Sequence, residues 1–362
     1  MIADTKLFCN FANNIARGQE YAQRDMKGIK HYIVYAAMIS ATMIASACGG
    51  KTATAAEAAD VAADSIAAIA ASAFDADSAY SYVERQLSFG YRVPGTDGHR
   101  ACRQWLVDCL KSYGADTVIQ QHATITAANG DRLPVCNILA RFNTVSPTPR
   151  LLIAAHYDTR PWADNDPDES RRHGPIPGAN DGGSGVAVAL EIARHADKAA
   201  AIDILLVDAE DYGISDTDND DTWCLGTQYW IEHQPYALAD KPIHGILLDM
   251  VGGTDAVFRR EYFSNQNARN ITDIVWREAA IQGLTGRFIP ESGGAVTDDH
   301  IYLSRGGIPT TDIIECTNAA TGSFNPRWHT HADNIEGIDR ATLKAVGQVV
   351  LGVALRHHAI TQ

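Results

Sequence analysis

The chain is short of positive charge. Its 362 residues carry 30 Lys and Arg against 44 Asp and Glu, a formal net charge of −14. Nucleic-acid backbones are held by surplus cations, so no nucleic-acid partner is expected. Paired cysteines are lacking as well. Seven cysteines occur, with no CxxC pair and no zinc-ribbon spacing, which excludes a small thiolate-zinc module. Cys102 and Cys109 stand about 10 Å of helical rise apart, too far to bridge. Beyond residue 48 the cysteines are Cys102, Cys109, Cys136, Cys224 and Cys316. The number is odd, so at least one thiol is free or pairs between chains. Most are expected to be small buried hydrophobes. Long apolar runs are scarce too. The one near the N-terminus, residues 32–47, ends too abruptly for a membrane span.

That run sits in "MKGIKHYIVYAAMISATMIASACGG", which starts at Met26. Lys27 and Lys30 precede it, and small residues lead to Cys48. This is the charged, apolar and small-residue order of a secretory signal. A Cys directly after Ala45-Ser46-Ala47 resembles a bacterial lipoprotein signal. The resemblance implies lipidation of Cys48 and a periplasmic place in the bacterial cell envelope, with membrane contact only through that lipid. The alternative is an amphipathic or buried N-terminal helix. The expected divisions are a leader over 1–47, an Ala-rich tether over 48–73 and a catalytic domain over 74–362. Within the leader, 1–25 reads as upstream sequence and 26–47 as the signal peptide.

From Phe74 onward helical and strand patterns alternate. "DSAYSYVERQLSFG" and "GHRACRQWLVDCLKSYG" have helical spacing and end at glycines. "VCNILARF", "RLLIAAHYD", "AIDILLVDAED", "HGILLDMVG" and "GIPTTDIIE" read as strands. The most apolar of these suit a sheet covered on both faces. "GGSGVAVALEIARHAD", "NARNITDIVWREAAIQG" and "DRATLKAVGQVVLGVALRHH" read as helices. The alternation predicts one α/β domain, its central sheet mostly parallel and flanked by helices on both faces.

In such sheets, sites gather at the carboxyl ends of the strands. Polar residues stand there repeatedly: His156 and Asp158 after "LLIAA", Glu210-Asp211 after "ILLVDA", Asp249 after "GILL". Asp181 precedes a helix in "PGANDGGSG", and His329 lies in the loop "NPRWHTHADN". A single acid at a strand end is commonplace. An ordered set of six such groups is far more specific.

This set resembles the zinc aminopeptidase-like metallohydrolases. The carriers are "AHYDTR", "GANDGGSG", "AEDYG", "LLDMVG" and "WHTHAD", spread over about residues 75–360. The resemblance implies that one zinc takes Asp181, Asp211 and His329, leaving a fourth position open. In two-zinc members the other ion would take His156, Asp181 and Asp249. Glu210 would be the general base.

Several residues resemble a narrower group, the zinc-dependent glutaminyl-peptide cyclotransferases. These are "LLDMVG", "DDHIYLSRGGIP", "WHT", the loop "HYDTRPWADNDPD", and Asp rather than Glu at 211. That resemblance implies a single zinc and a substrate peptide with N-terminal glutamine. The substrate's α-amine would attack its own γ-carboxamide, giving pyroglutamate and ammonia. Glu210 would shuttle the proton, Asp249 would hold the leaving nitrogen, and Asp298 would complete a hydrogen-bond relay. Trp328 and Phe324 would wall the glutamine pocket. His156 and Asp158 would then orient Asp181 or bond the loop. For His156, metal ligation and a hydrogen-bonded core position stay open. The rival reading is a two-zinc aminopeptidase, and behind it a non-catalytic binding protein. His331 is a rival to His329 as ligand. The acidic stretch 215–222 resembles the start of a calcium loop but lacks its glycine and closing Glu.

Overall fold

The structure, a computed structural model, describes residues 55–359 except 197–200, 216 and 218. The expected signal, Cys48 and the first residues of the tether lie outside the described residues, as do Asp216 and Asp218 of the acidic stretch. Met1–Ala58 and Ala59–Gln362 form separate units; the fold below is that of the second.

Alanine dominates the stretch before Phe74, with neither Gly nor Pro, and it forms a helix, α1 (Ala55–Ala73). Its last turns are not a free tether. Ala67 and Ala70 are buried, and Ala70 joins the main core. Two more helices follow, α2 (Ala76–Leu87) and α3 (Asp97–Ser112), with Asp75 and Thr96 capping their first amides. Gly90 and Gly114 come just after them with φ of 82° and 86°, the left-handed backbone that ends helices.

The main sheet has six strands: β1 (Thr117–Thr126), β2 (Arg132–Phe142), β3 (Leu151–His156), β4 (Ile202–Val207), β5 (His244–Leu248) and, later in the chain, β8 (Thr310–Ile313). Their spatial order is β1-β2-β4-β3-β5-β8. The β1–β2 and β2–β4 pairings are antiparallel, and the rest are parallel. Side chains alternate between two cores, as the pleat requires. Leu151, Ile153 and Ala155 of β3, with Ile204, Leu206, Ile246 and Leu248, face one core. Leu152, Ala154, Leu205, Val207 and Leu247 face the other. Helix α4 (Gly183–Arg194) covers the first face together with the C-terminal helix α9 (Arg340–Ala359). At Gly185 a Cβ would stand 2.0 Å from the Leu248 carbonyl oxygen, so α4 lies directly on the sheet backbone. On the second face lie α5 (Leu225–Glu232) and α8 (Asp299–Arg305), through Trp230 and Leu303.

Three features differ from the sequence expectation. Strand β1 is an edge strand of mixed, mostly polar residues, so no apolar run marked it. A small parallel sheet of β6 (Phe258–Arg260) and β7 (Phe288–Ser292) is too short to leave a period. A short helix that the sequence did not mark, α6 (Tyr262–Asn267), precedes the helix expected from residue 267, which is α7 (Arg269–Ile281); the two part where Ala268 leaves helical geometry at φ −141°. Among the described residues no helix is long and apolar enough to cross a membrane.

Candidate metal centre and active site

Because β3, β4, β5 and β8 run parallel, their carboxyl ends meet at one rim. His156 pairs in register with Val207, so His156 and the chain entering Glu210 start level. Asp249 follows β5 on the other side of β3. At this rim the backbone takes left-handed angles at residues other than glycine: φ is 51° at Ala209, 47° at Met250 and 54° at His329. Such angles are disfavoured and persist where surrounding bonds fix them. They turn Glu210, Asp249 and His329 off their elements and into the centre.

Asp181 arrives from the loop before α4. Its backbone N–H donates to Asp333 Oδ2 at 3.2 Å, and the Asn180 N–H donates to Oδ1 at 2.9 Å. The residue after it has to be glycine. A Cβ on Gly182 would stand 2.3 Å from the His156 carbonyl oxygen and 2.5 Å from its Nε2. The Glu210-Asp211 pair is held from below. The Glu210 and Asp211 N–H groups donate to the two oxygens of Asp158 at 3.1 and 3.2 Å. Asp158 thus bonds the loop; the alternative expectation that it orients Asp181 has no bond behind it among the described residues.

Asp181, Asp211 and His329 offer ligand atoms within 4.8 Å of one another, all buried. His329 Nε2 lies 3.2 Å from Asp211 Oδ1 and 3.5 Å from Asp181 Oδ2. A tetrahedral zinc with bonds of about 2.0–2.1 Å separates its ligand atoms by about 3.3 Å. Both Asp211 oxygens and Asp181 Oδ2 are buried without a hydrogen-bond partner. Orphaned buried carboxylate oxygens are costly, and a divalent cation answers all three. Burial also pushes Asp211 up to about 7, although Arg160 and His156 pull the other way. His329 is driven down to about 3 by burial, so its ring is neutral, as a ligand must be. The residues fit zinc.

A second cluster, His156, Asp181 and Asp249, also lies within 4.8 Å. It differs in being bonded internally. His156 Nε2 is 3.1 Å from Asp181 Oδ1 and 3.2 Å from Asp249 Oδ1. Burial opposes a charge on His156, yet Asp158, Asp181 and Asp249 outweigh it and raise its proton affinity well above the usual range.

Glu210 stands beside these groups. Its Oε2 is 3.9 Å from His156 Nδ1, and the buried Cys224 Sγ lies 3.5 Å from Oε1. Burial raises its proton affinity well above the carboxylate norm; His156 counters this and Asp211 adds to it. Glu210, Cys224 and Asp298 form a further tight group. Asp298 Oδ2 has no hydrogen-bond partner, and burial, then Asp249, raises this carboxyl strongly. A cavity of about 250 Å³ opens onto these residues, walled by Trp328, Phe324, Trp223 and Val296. The Trp328 ring packs 3.8 Å from that of His329 and 4.4 Å from that of Phe324.

All ten residues singled out from the sequence therefore meet at this rim. His331 does not. Its Nδ1 bonds Asp166 Oδ2 at 2.7 Å, outside the ligand clusters. Trp223 lines the cavity. Two contributors escaped sequence reading. Cys224 was expected to be a core hydrophobe, yet it touches Glu210. Arg160 is fully buried, donates to the carbonyls of Asp211 and Gly213 at 3.1 Å each, and stacks on Trp223. An Arg in "HYDTR" carries no signal that its partners lie fifty residues away.

A mostly parallel sheet whose rim gathers carboxylates and a neutral histidine around a zinc-sized gap defines a zinc aminopeptidase-like metallohydrolase. The comparisons agree. Residues 137–354 match peptidase family M28, and the chain belongs to that family. It is similar to the Bos taurus glutaminyl-peptide cyclotransferase, 25% identical over 295 residues, covering 72% of this chain and 76% of the relative. Among solved structures, it is similar to a Bacteroides thetaiotaomicron glutaminyl cyclase bound to N-acetylhistamine, with a TM-score of 0.74 and 46% identity, covering 78% of this chain and 97% of that one. It is as similar to a structure described as a leucine aminopeptidase precursor from Bacteroides thetaiotaomicron, with a TM-score of 0.73 and 46% identity, covering 78% and 97%.

Proposed function

We propose that this chain is a glutaminyl cyclase with one zinc, converting N-terminal glutamine of peptides to pyroglutamate with release of ammonia. The observation that carries the choice is the contrast between the two clusters. Asp181, Asp211 and His329 present orphaned oxygens and a neutral imidazole to a gap. At the other cluster, His156 Nε2 bridges Asp181 Oδ1 and Asp249 Oδ1 at 3.1 and 3.2 Å, so those oxygens are already partnered. This contrast supports a reading with one ion per chain. The glutaminyl cyclases among its relatives, animal and bacterial, support the reading.

Bound at Asp181, Asp211 and His329, zinc would polarise the γ-carboxamide oxygen as a Lewis acid. Glu210 accepts the proton of the attacking α-amine and returns it to the departing nitrogen; its raised proton affinity suits it to both tasks near neutral pH. Asp249 accepts a hydrogen bond from that nitrogen, and Asp298 completes the hydrogen-bond relay. Trp328 and Phe324 hold the glutamine side chain folded against its own amine. For an intramolecular attack, such confinement is itself catalytic. The same apolar walls keep out water, which would hydrolyse the amide instead.

The experiment incubates the full chain, loaded with zinc, with Gln-initiated and Leu-initiated peptides. Ammonia and pyroglutamate from the first, with no free amino acid from either, is the expected result. Release of free leucine favours the two-zinc aminopeptidase, a reading kept open by the ligand-like spacing of His156, Asp181 and Asp249. Metal analysis gives a second test: about one zinc per chain for the cyclase, two for the aminopeptidase. We also propose a periplasmic lipoprotein anchored through Cys48, on the signal-like order of residues 26–48. Mass spectrometry of the mature N-terminus in a bacterial host tests this; an unmodified Cys48 refutes it.

A further inference from the structure

The cavity of about 250 Å³ is small. Pockets that enclose a drug-sized ligand run to roughly 300–1,000 Å³. It has room for the glutamine but not for the peptide behind it. That peptide must leave by the mouth, because its N-terminus points to the metal centre. A second hollow of about 660 Å³ starts at this mouth. The two share Asp220 and Thr297, and the Thr297 hydroxyl donates to Asp220 Oδ2 at 3.0 Å, tying the loop after β4 to the segment before α8. The hollow continues along α6 and α8, past Gln266, Tyr302 and Arg305. Its lining is polar, as a groove for an extended backbone should be.

The charge of the groove is uneven. Asp221 is already engaged: it accepts from the Tyr302 hydroxyl at 3.0 Å and pairs with Arg305 at 3.8 Å. Asp220, at the junction, lines both hollows and accepts from the Thr297 hydroxyl through Oδ2 alone of its carboxylate oxygens among the bonds above. A peptide leaving the cavity in extended form, at about 3.3–3.6 Å per residue, passes this carboxylate with the first residues after the glutamine. Arg305 in the same lining is paired with Asp221, which leaves Asp220 as the carboxylate facing the junction of the two hollows.

We propose that this hollow receives the peptide residues that follow the N-terminal glutamine, and that Asp220 selects a basic residue directly after it. The inference rests on the cyclase reading and adds its substrate class: peptides beginning Gln-Lys or Gln-Arg.

The test measures kcat/KM of the zinc-loaded full chain on Gln-Lys-Ala-Ala, Gln-Glu-Ala-Ala and Gln-Ala. An exposed pair of charges predicts about a threefold to fivefold preference for Lys over Glu at low salt, shrinking as salt is added. In Asp220→Asn the ratio falls towards one. Gln266→Trp, at an exposed site in the groove, lowers the advantage of tetrapeptide over dipeptide. A ratio near one in the wild type, or a ratio unchanged in Asp220→Asn, while Gln-Ala is turned over, overturns this inference and leaves the cyclase reading standing. No turnover of any Gln peptide sinks the cyclase reading and this inference with it.

Discussion

Replacing Glu210 with Gln tests the division of labour most directly. The side chain keeps its length, and the backbone N–H groups of 210 and 211 stay anchored on Asp158 at 3.1 and 3.2 Å. What disappears is the ability to take a proton. Glu210 is not among the three residues that surround the zinc-sized gap, so metal content should not change. Proton shuttling by a placed side chain contributes about 10²–10⁴ in rate, or roughly 3–5 kcal/mol of transition-state stabilisation. Glu210 serves both proton transfers, so the loss should lie at the upper end, near 10⁴, in kcat more than in KM. A coupled assay for released ammonia reads the rate, and elemental analysis of the same sample reads the zinc. Either of two results refutes the reasoning. A variant that has lost its zinc makes Glu210 a ligand. A variant that keeps more than a tenth of the wild-type rate makes some other group the base.

Zinc binding should depend on pH through one residue. His329 is already neutral above about 3, whereas Asp211 sheds its proton only near 7. Zinc displaces that proton, so affinity should rise about tenfold per pH unit up to about 7 and then level; calorimetry at pH 5, 6, 7 and 8 checks it, and a flat profile below 7 contradicts it. Cys224→Ala removes a donor 3.5 Å from Glu210 Oε1. Without it the Glu210 carboxylate holds its proton more tightly, so the acid limb of kcat/KM moves to higher pH, and Cys224→Ser restores it; identical pH profiles in all three proteins would leave the thiol a packing group. Trp328→Ala opens the cavity wall. An aromatic contact is worth about 0.5–1.5 kcal/mol, so KM should rise about threefold to tenfold with a smaller fall in kcat, as read by initial rates; a change confined to kcat assigns Trp328 to holding His329 instead.

Much of the site was legible because its residues sit where the chain's own pattern changes. Apolar runs end in His156, Glu210-Asp211 and Asp249, and parallel topology forces those ends together. Strands such as β3, buried along their whole length, announce a sheet covered on both faces. The edge strand β1 carries no such run, because one side of it meets solvent. Left-handed angles at Ala209, Met250 and His329 were hidden for another reason: they fall on residues that do not favour them. Contacts that decide function across long separations were hidden too. Nothing near Cys224 in sequence indicates that its thiol faces Glu210, and nothing near Arg160 points to Trp223.

His156 shows how one frame can serve two chemistries. From its position at the end of β3, ligand and core histidine were equally open readings. The structure favours neither in its simple form. The ring is buried as a core residue is, yet it faces the two carboxylates a second metal would need. A protonated imidazole carries one positive charge where a zinc ion would carry two. It also donates in fixed directions and cannot coordinate and acidify a water as a metal ion does. Hydrolysis on a two-metal frame needs a bound water as nucleophile; cyclisation brings its nucleophile within the substrate. Filling the second position with His156 therefore costs the cyclase nothing it uses, and it removes the competing reaction. His156→Ala removes one of the three ligands a second zinc would take and leaves Asp181 and Asp249 unbridged. The expected outcome is about one zinc ion per chain in wild type and variant alike at saturating metal, read by elemental analysis. A fall from about two in the wild type to about one in the variant would make His156 a zinc ligand and refute the one-metal reading.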